Sequence, residues 1–285
     1  MRDDPEVQEV VRRYQLGRPR LLTSGSGGDL LGRATGNSLE FHEYREYQLG
    51  DDLRHLDWAA FGRTDELLVR LFRDEVSPAC EIVLDLSRSM TSGNGTKAQL
   101  ARRLAASLSL ISARSGSRPR IYPVGDQRPV REFGVDQLLE LATLSFDGLG
   151  NLADSDCLSG FSGRPRSVRI LISDFLFPLD PESLVKQFAR GVSNLWVIQL
   201  LTEWESTPTP VGGCHLVDIE TADEWDLVID GSAVERYQRR LAMLQESMRR
   251  ACQKVRGEFI SCISDPGLEQ VCCRDLVPAG LLRTT

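Results

Sequence analysis

No stretch of this chain stays apolar for the ~18 residues that a membrane-spanning helix needs. Its N-terminal MRDDPEVQEVVRR is charged where a secretory signal would be apolar. A cytoplasmic location is the expectation that follows. Histidine is scarce, with three residues, and none lies near the strand ends discussed below, so imidazole-based catalysis has little to draw on. The seven cysteines, Cys80, Cys157, Cys214, Cys252, Cys262, Cys272 and Cys273, show no paired C-x-x-C spacing of a zinc site, and an odd number cannot pair completely. Most are expected to be small buried hydrophobes, with the adjacent Cys272 and Cys273 pointing opposite ways. An excess of cations is missing too. The net charge of −7 argues against nucleic acid as the principal partner, because phosphate binding draws on clustered Lys and Arg. Neither a Gly-Lys-Ser/Thr phosphate loop nor a G-x-S-x-G elbow occurs, and in TSGSGGDLLG (Thr23 to Gly32) the G-x-G-x-x-G spacing fails at Leu30. That segment reads as a connector.

What is present is an ordinary globular composition, 41% hydrophobic and 26% charged over 285 residues, enough for a sizeable core. The organising stretch is EIVLDLSRSM, Glu81 to Met90. Ile82, Val83 and Leu84 make a short run suited to a strand buried on both faces. Asp85, Ser87 and Ser89 follow at i, i+2 and i+4, a spacing that turns one carboxylate and two hydroxyls to one side of extended backbone. Such oxygens suit a hard cation of the Mg2+ type, with positions left for water. A strand-to-helix loop that merely favours Asp and Ser would look the same locally. A second buried run, Ser167 to Ser173, ends in Asp174, and the chain between the runs is long enough for crossovers. The expected fold is α/β: a doubly wound, mostly parallel sheet flanked by helices. If strand order reverses between the two runs, Asp85 and Asp174 meet where open sheets bind ligands.

Asp85, Ser87, Ser89 and Asp174 together resemble the metal-ion-dependent adhesion site of a von Willebrand factor A domain. That family combines D-x-S-x-S on its first strand, a Thr from a later loop and an Asp after the fourth strand. The Thr has no clean match. The corresponding place reads Gly148-Leu149-Gly150-Asn151-Leu152, so Asn151 would offer an amide oxygen instead, with Thr143 and Ser155 as other candidates. The resemblance implies Mg2+, with Mn2+ or Ca2+ as substitutes, held by Asp85, Ser87, Ser89, Asn151 and Asp174 and completed by an acidic side chain from a protein partner.

Upstream, Asn37 to Glu75 is dense in aromatics and opposed charges. It reads as a structural clamp: a turn at Gly50-Asp51, paired charges, and aromatics, Trp58 among them, packed on the sheet domain. His42 and His55 lack ligand spacing for a second metal. Glu40, Phe41, Arg45, Tyr47, Gly50, Asp51, Asp52, Arg54, Asp57 and Trp58 fit E-F-x-x-x-R-x-Y-x-x-G-D-D-x-R-x-x-D-W. Followed by D-x-S-x-S-M, this pattern resembles the family called domain of unknown function 58. The resemblance implies a non-enzymatic adaptor or chaperone-like module accompanying a MoxR-type AAA+ ATPase in protein assembly or cofactor maturation. The expected organisation is an N-terminal extension, 1–78, packed on a von Willebrand factor A-like domain, 79–285. The rival class is metal-assisted phosphoryl transfer, or a fold whose metal site is vestigial; D-x-D, which a haloacid-dehalogenase arrangement wants, is broken by Ser87.

Further expectations are a helix over 5–14, a capping box at Thr96 to Gln99 opening a helix that Gly116 stops, and strands at 120–124 and 129–133. Short helices follow at Gln137 to Leu144 and after the Asp180-Pro181 cap. Asn194 to Leu201 reads as a buried strand, His215 to Asp230 as edge strands, and Val234 to Val255 as an amphipathic helix with a solvated basic face. Glu258 to Ser261 should be the final core strand before a tail.

Overall fold

Apolar residues two apart in five short runs face alternate sides of one sheet, and helices cover both sides. The structure, a computed structural model, describes residues 1–17, 39–48, 56–74, 79–92, 95–125, 130–154, 156–158, 160–219 and 223–285. In chain order the elements are α1 (Pro5–Arg13), β1 (Tyr14–Leu16), β2 (Leu39–Glu46), α2 (Trp58–Thr64), β3 (Leu68–Asp74), β4 (Cys80–Asp85), α3 (Thr96–Arg114) and β5 (Arg120–Val124). They continue with α4 (Leu138–Thr143), β6 (Val168–Ser173), α5 (Pro181–Ala189), β7 (Asn194–Leu201), α6 (Glu203–Ser206), β8 (Gly212–Val217), β9 (Glu224–Ile229), α7 (Gly231–Lys254), β10 (Glu258–Ile263), α8 (Leu268–Val271) and β11 (Leu282–Thr284).

The central sheet runs β10-β7-β6-β4-β5 and every pairing in it is parallel. Taken in chain order the five strands read 2-1-3-4-5, so strand order reverses between β4 and β6. Ile82, Leu84, Ile170, Ile172, Ile198 and Leu200 point to the core shared with α1, α3 and α8; Val83, Leu171 and Val197 point to the core shared with α5 and α7. This is a doubly wound α/β fold with its switch point between β4 and β6. At the opposite end of the strands from the serines, Glu81 is fully buried and its carboxylate is saturated. Arg169 Nη2 donates at 2.7 Å, Arg169 Nε at 3.0 Å, Ser167 Oγ at 2.7 Å and Arg164 N at 2.7 Å.

Several expectations need correction. Helix α3 is capped by Gly95 in the left-handed region (φ 81°), with no side-chain capping bond, so Thr96 is already helical and the capping box does not form. Residues 130–133 contribute an isolated antiparallel bridge, Phe133 to Ile121, in place of a strand. The β8–β9 hairpin is a separate two-stranded sheet and not an edge of the main one. The segment after β10 is no tail. It forms α8, a π-helical turn at Cys272–Leu276, and β11, which pairs antiparallel with β1.

The chain divides into two compact units, Met1–Leu22 with Pro78–Thr285, and Thr23–Ser77. Met1–Leu22 thus belong to the sheet unit, where α1 buries Val7, Val10 and Val11 against α3. Within the second unit, β2 and β3 form an antiparallel hairpin bulged at Phe41/Glu43. Asp57, buried, caps α2 by accepting from Ala59 N and Ala60 N at 3.0 Å each, and Tyr44 Oη donates to its other oxygen at 2.7 Å. Gly50, Asp51, Asp52, Arg54 and His55 lie outside the described residues, as do the side chains of Glu40, Phe41 and His42. Trp58 corrects the clamp expectation, because it is 64% exposed and meets Phe61 edge-on. Trp58→Ala is therefore expected to change stability by no more than about 0.5 kcal/mol, the range of surface substitutions. A thermal melt that drops by several degrees would show that the ring is covered.

Of the cysteines, Cys80, Cys157, Cys252, Cys262 and Cys272 are buried, Cys273 is exposed, and all seven are free thiols. The basic face of α7 is solvated as expected, with Arg239 on Glu235, Arg250 on Glu246 and Lys254 on Glu182. No helix among the described residues is long and apolar enough to cross a membrane.

Candidate functional site

At the C-terminal ends of β4 and β6 the sheet leaves the crevice that strand-order reversal creates. Asp85 is the last residue of β4 and is fully buried. One of its oxygens accepts from Ser87 N at 2.8 Å and the other from the hydroxyl of Ser173, the last residue of β6. The chain then makes one 3-10 turn, Arg88–Thr91, which brings Ser87 Oγ and Ser89 Oγ to 3.1 Å of one another.

Asp174 is gripped from several sides. Its Oδ1 accepts from Leu176 N at 3.1 Å and its carbonyl from Gln199 Nε2 at 2.8 Å. Phe175, buried, takes φ 54°, a left-handed conformation that costs a bulky residue about 1–3 kcal/mol and persists only where the surroundings enforce it. That outlier sits at a strand end beside two buried carboxylates.

The residue that sequence reasoning missed is Lys97. It is the second residue of α3, its side chain has no exposed surface, and its ammonium lies 2.8 Å from Asp174 Oδ2 and 2.9 Å from Glu205 Oε1. Glu205, on α6, also accepts from Ser92 Oγ at 2.5 Å and from Thr202 N at 2.8 Å. Burial works to raise the Glu205 carboxyl, but the Lys97 charge and these hydrogen bonds outweigh it and hold the group below the usual range. Asp85 behaves oppositely. Burial, then repulsion from Asp174, push it up to about 7 against the hydrogen bonds from Ser173 and Ser87. A lysine in the first turn of an otherwise apolar-striped helix is the available signal, and it lies inside the stretch Thr96 to Gln99 that reads as a capping box.

The loop expected to supply the third ligand is beside the serines but turned to other work. Gly148 bridges Ser87, with Gly148 N donating to Leu86 O at 3.1 Å and Arg88 N to Gly148 O at 3.3 Å. A Cβ on Gly148 would lie 1.9 Å from Gly125 O, so glycine is required by backbone passing backbone. Asn151 Oδ1 accepts from Ala153 N at 2.9 Å, closing its own turn. Thr143 Oγ1, exposed, donates to Glu140 O at the end of α4, and Ser155 lies outside the described residues.

The donor set fits a hard divalent cation on one flank. Asp174 and Glu205 share the Lys97 ammonium, and Asp85, repelled by Asp174, has no cationic partner among the described residues. Ser87, Ser89 and Asp85 carry the oxygens on that flank, whereas Oδ2 of Asp174 is engaged by Lys97. No group of three or more His, Cys, Asp or Glu side chains placed to hold a metal occurs among the described residues, so such an ion would depend on the hydroxyls. A surface concavity of about 510 Å³ lined by Glu203, Ser261, Asp265, Gln270 and Arg274 lies nearby in sequence, but neither Asp85 nor Lys97 lines it.

Fold and site together define a von Willebrand factor A-like α/β module with a D-x-S-x-S loop at its switch point. The chain belongs to the family described as protein of unknown function DUF58, whose model matches residues 43–248. That match takes in both Tyr44 to Trp58 and the D-x-S-x-S loop. Uncharacterized proteins of Mycobacterium tuberculosis and Mycobacterium bovis are 26% identical over 275 residues, covering 92% of this chain and 86% of theirs. Among solved structures, the conserved hypothetical protein BatB from Bacteroides thetaiotaomicron is 13% identical with a TM-score of 0.36, over 65% of this chain and 90% of that one. An aerotolerance-related membrane protein from Bacteroides fragilis is 16% identical with a TM-score of 0.38, over 68% and 96%.

Proposed function

We propose that this protein is a non-enzymatic adaptor that captures a protein partner at the D-x-S-x-S loop with the help of a divalent cation, and that it works in the cytoplasm beside a MoxR-type AAA+ ATPase in protein assembly or maturation. The observation that carries this reading is the uncompensated carboxylate of Asp85 behind two serine hydroxyls. Asp85, Ser87 and Ser89 would hold Mg2+, and the bound ion would supply positive charge for an incoming carboxylate. Ser89 is only half-buried, so the hydroxyl flank is the side a partner reaches. Ser173 and the Ser87 amide fix the Asp85 oxygens, and the Asp174 loop is held from several directions, which lowers the ordering cost of an encounter.

The rival reading, phosphoryl transfer, is favoured by one feature, an ammonium beside two carboxylates at a switch point. Yet Asp85 and Lys97 are both without exposed surface, and no histidine among the described residues stands near them: His215 pairs with Asp226 on the β8–β9 hairpin. Turnover of a generic phosphoester that disappears in Asp85→Ala would favour it.

The adaptor reading is tested by using the full chain as bait and identifying the retained protein in Mg2+ and in EDTA. A MoxR-type ATPase should be retained in Mg2+ alone and lost with Asp85→Ala or Ser87→Ala, both of which should stay folded. Equal retention in EDTA, or by the Asp85→Ala bait, would place the interface elsewhere.

A further inference from the structure

An ammonium inside a cation site is a competitor for the same carboxylates. Lys97 reaches the crevice from the first turn of α3, and its charge is held by two anchors on different elements, Asp174 after β6 and Glu205 on α6. The ring of contacts closes back on the D-x-S-x-S loop. Ser92, three residues beyond Ser89, donates to the same Glu205 oxygen that Lys97 touches, and Ser173, adjacent to Asp174, donates to Asp85. Tyr237 Oη donates to the Glu205 carbonyl at 2.6 Å, so α7 also fixes this anchor. Nothing in the apolar packing of α3 needs a lysine here; its neighbours Ala98, Leu100 and Ala101 fill the core. The charge is therefore there for the carboxylates.

We propose that the Lys97 ammonium is the resident counter-ion of this site, occupying the flank of Asp174 and keeping divalent-cation affinity at the Asp85, Ser87 and Ser89 flank low. The proposal rests on the divalent-cation reading above. With Asp85 ionised, as cation binding requires, the pocket carries two uncompensated negative charges while Lys97 is in place and three without it, and Oδ2 of Asp174 is released. Coulomb interactions at a few ångströms in a partly dry site make one unit charge worth at least about tenfold in ion affinity. The same reasoning gives Glu205 the opposite sign. Removing its charge while Lys97 stays leaves the pocket less negative and weakens ion binding.

The test is Mn2+ binding to the full chain, followed by the electron paramagnetic resonance of free Mn2+, for wild type, Lys97→Met, Lys97→Met with Glu205→Gln, and Glu205→Gln alone. The double variant removes both members of one ion pair, so it reports even where the single lysine change unfolds the protein; circular dichroism checks each. Lys97→Met should bind Mn2+ at least about tenfold more tightly than wild type and Glu205→Gln several-fold more weakly, and the double variant, whose pocket charge equals that of wild type, should bind at least about tenfold more tightly than Glu205→Gln. Adding Asp85→Asn to the tighter variant should abolish the gain. A purely structural lysine would move both variants the same way or not at all, and that result overturns the proposal while leaving the cation reading intact. Binding by none of the four proteins overturns both. A gain that survives Asp85→Asn lies at another site and overturns the proposal as well.

Discussion

In EDTA, Asp85→Asn should stabilise the protein by a few kcal/mol at pH 8 and leave it nearly unchanged at pH 4. Asp85 is fully buried, and its carboxyl is pushed up to about 7 from an ordinary value of 3.8, by burial first and by Asp174 second. Between those two values the folded protein holds a proton that the unfolded chain has released. Stability contributed by the group is therefore complete below about pH 4 and is lost as pH rises through 7, with a span of roughly 4 kcal/mol at ~1.4 kcal/mol per unit. Urea midpoints of wild type should thus fall from pH 5 to pH 8 more steeply than those of Asp85→Asn. Asparagine keeps an oxygen for the Ser87 amide, so little else changes. Parallel pH profiles for the two proteins would mean that Asp85 is ionised without penalty. The same measurement in excess Mg2+ should flatten the wild-type profile, because a cation beside the carboxylate removes the reason for protonation.

At the other end of the same strands, Arg169→Met should destabilise the protein by about 3–5 kcal/mol, the cost of leaving one member of a buried ion pair alone. Arg169 and Glu81 are each at most 2% exposed, and Arg169 also donates to the Phe188 carbonyl that ends α5. The guanidinium lies so close to Gly163 that a Cβ there would meet Nη2 at 1.8 Å, so the loop before β6 is shaped around it. Replacing Glu81 by Gln at the same time should recover part of the loss, since the uncompensated charge disappears with it. Denaturant unfolding of the single and double variants checks this; a single-variant loss below about 1 kcal/mol would mean that water reaches Glu81. Neither change should alter Mn2+ binding, because the pair stands at the N-terminal ends of β4 and β6.

The two strand ends also separate what a sequence reveals from what it hides. Ile82 to Leu84 and the run ending at Ser173 are legible because burial on both faces demands unbroken apolar stretches, and one parallel sheet then puts Asp85 and Asp174 at neighbouring strand ends. Lys97 was not legible. A lysine in a helix's first turn looks solvated unless two carboxylates distant in sequence, Asp174 and Glu205, are known to converge on it. Asn151 reads two ways for the converse reason: an amide in a Gly-rich loop satisfies a neighbouring backbone N–H as readily as a ligand, and Ala153 is only two residues away. As an aromatic inside a dense motif Trp58 invites a reading of burial, whereas the motif's buried member is the carboxylate next to it, Asp57.

The pairing of β1 with β11 sets an order of events during synthesis. Tyr14, Gln15 and Leu16 find their strand partners at Thr284, Arg283 and Leu282, more than 260 residues later. Val7, Val10 and Val11 are wanted by α3, but the strand that follows them has no hydrogen-bonding edge until the far segment has left the ribosome. Loops that long close slowly, and an unpaired strand edge with apolar residues beside it is a target for aggregation while it waits. The arm from Pro5 to Leu16 is thus made before the rest of the sheet unit and is among its last parts to be secured, and its docking reports that the whole sheet unit has been completed.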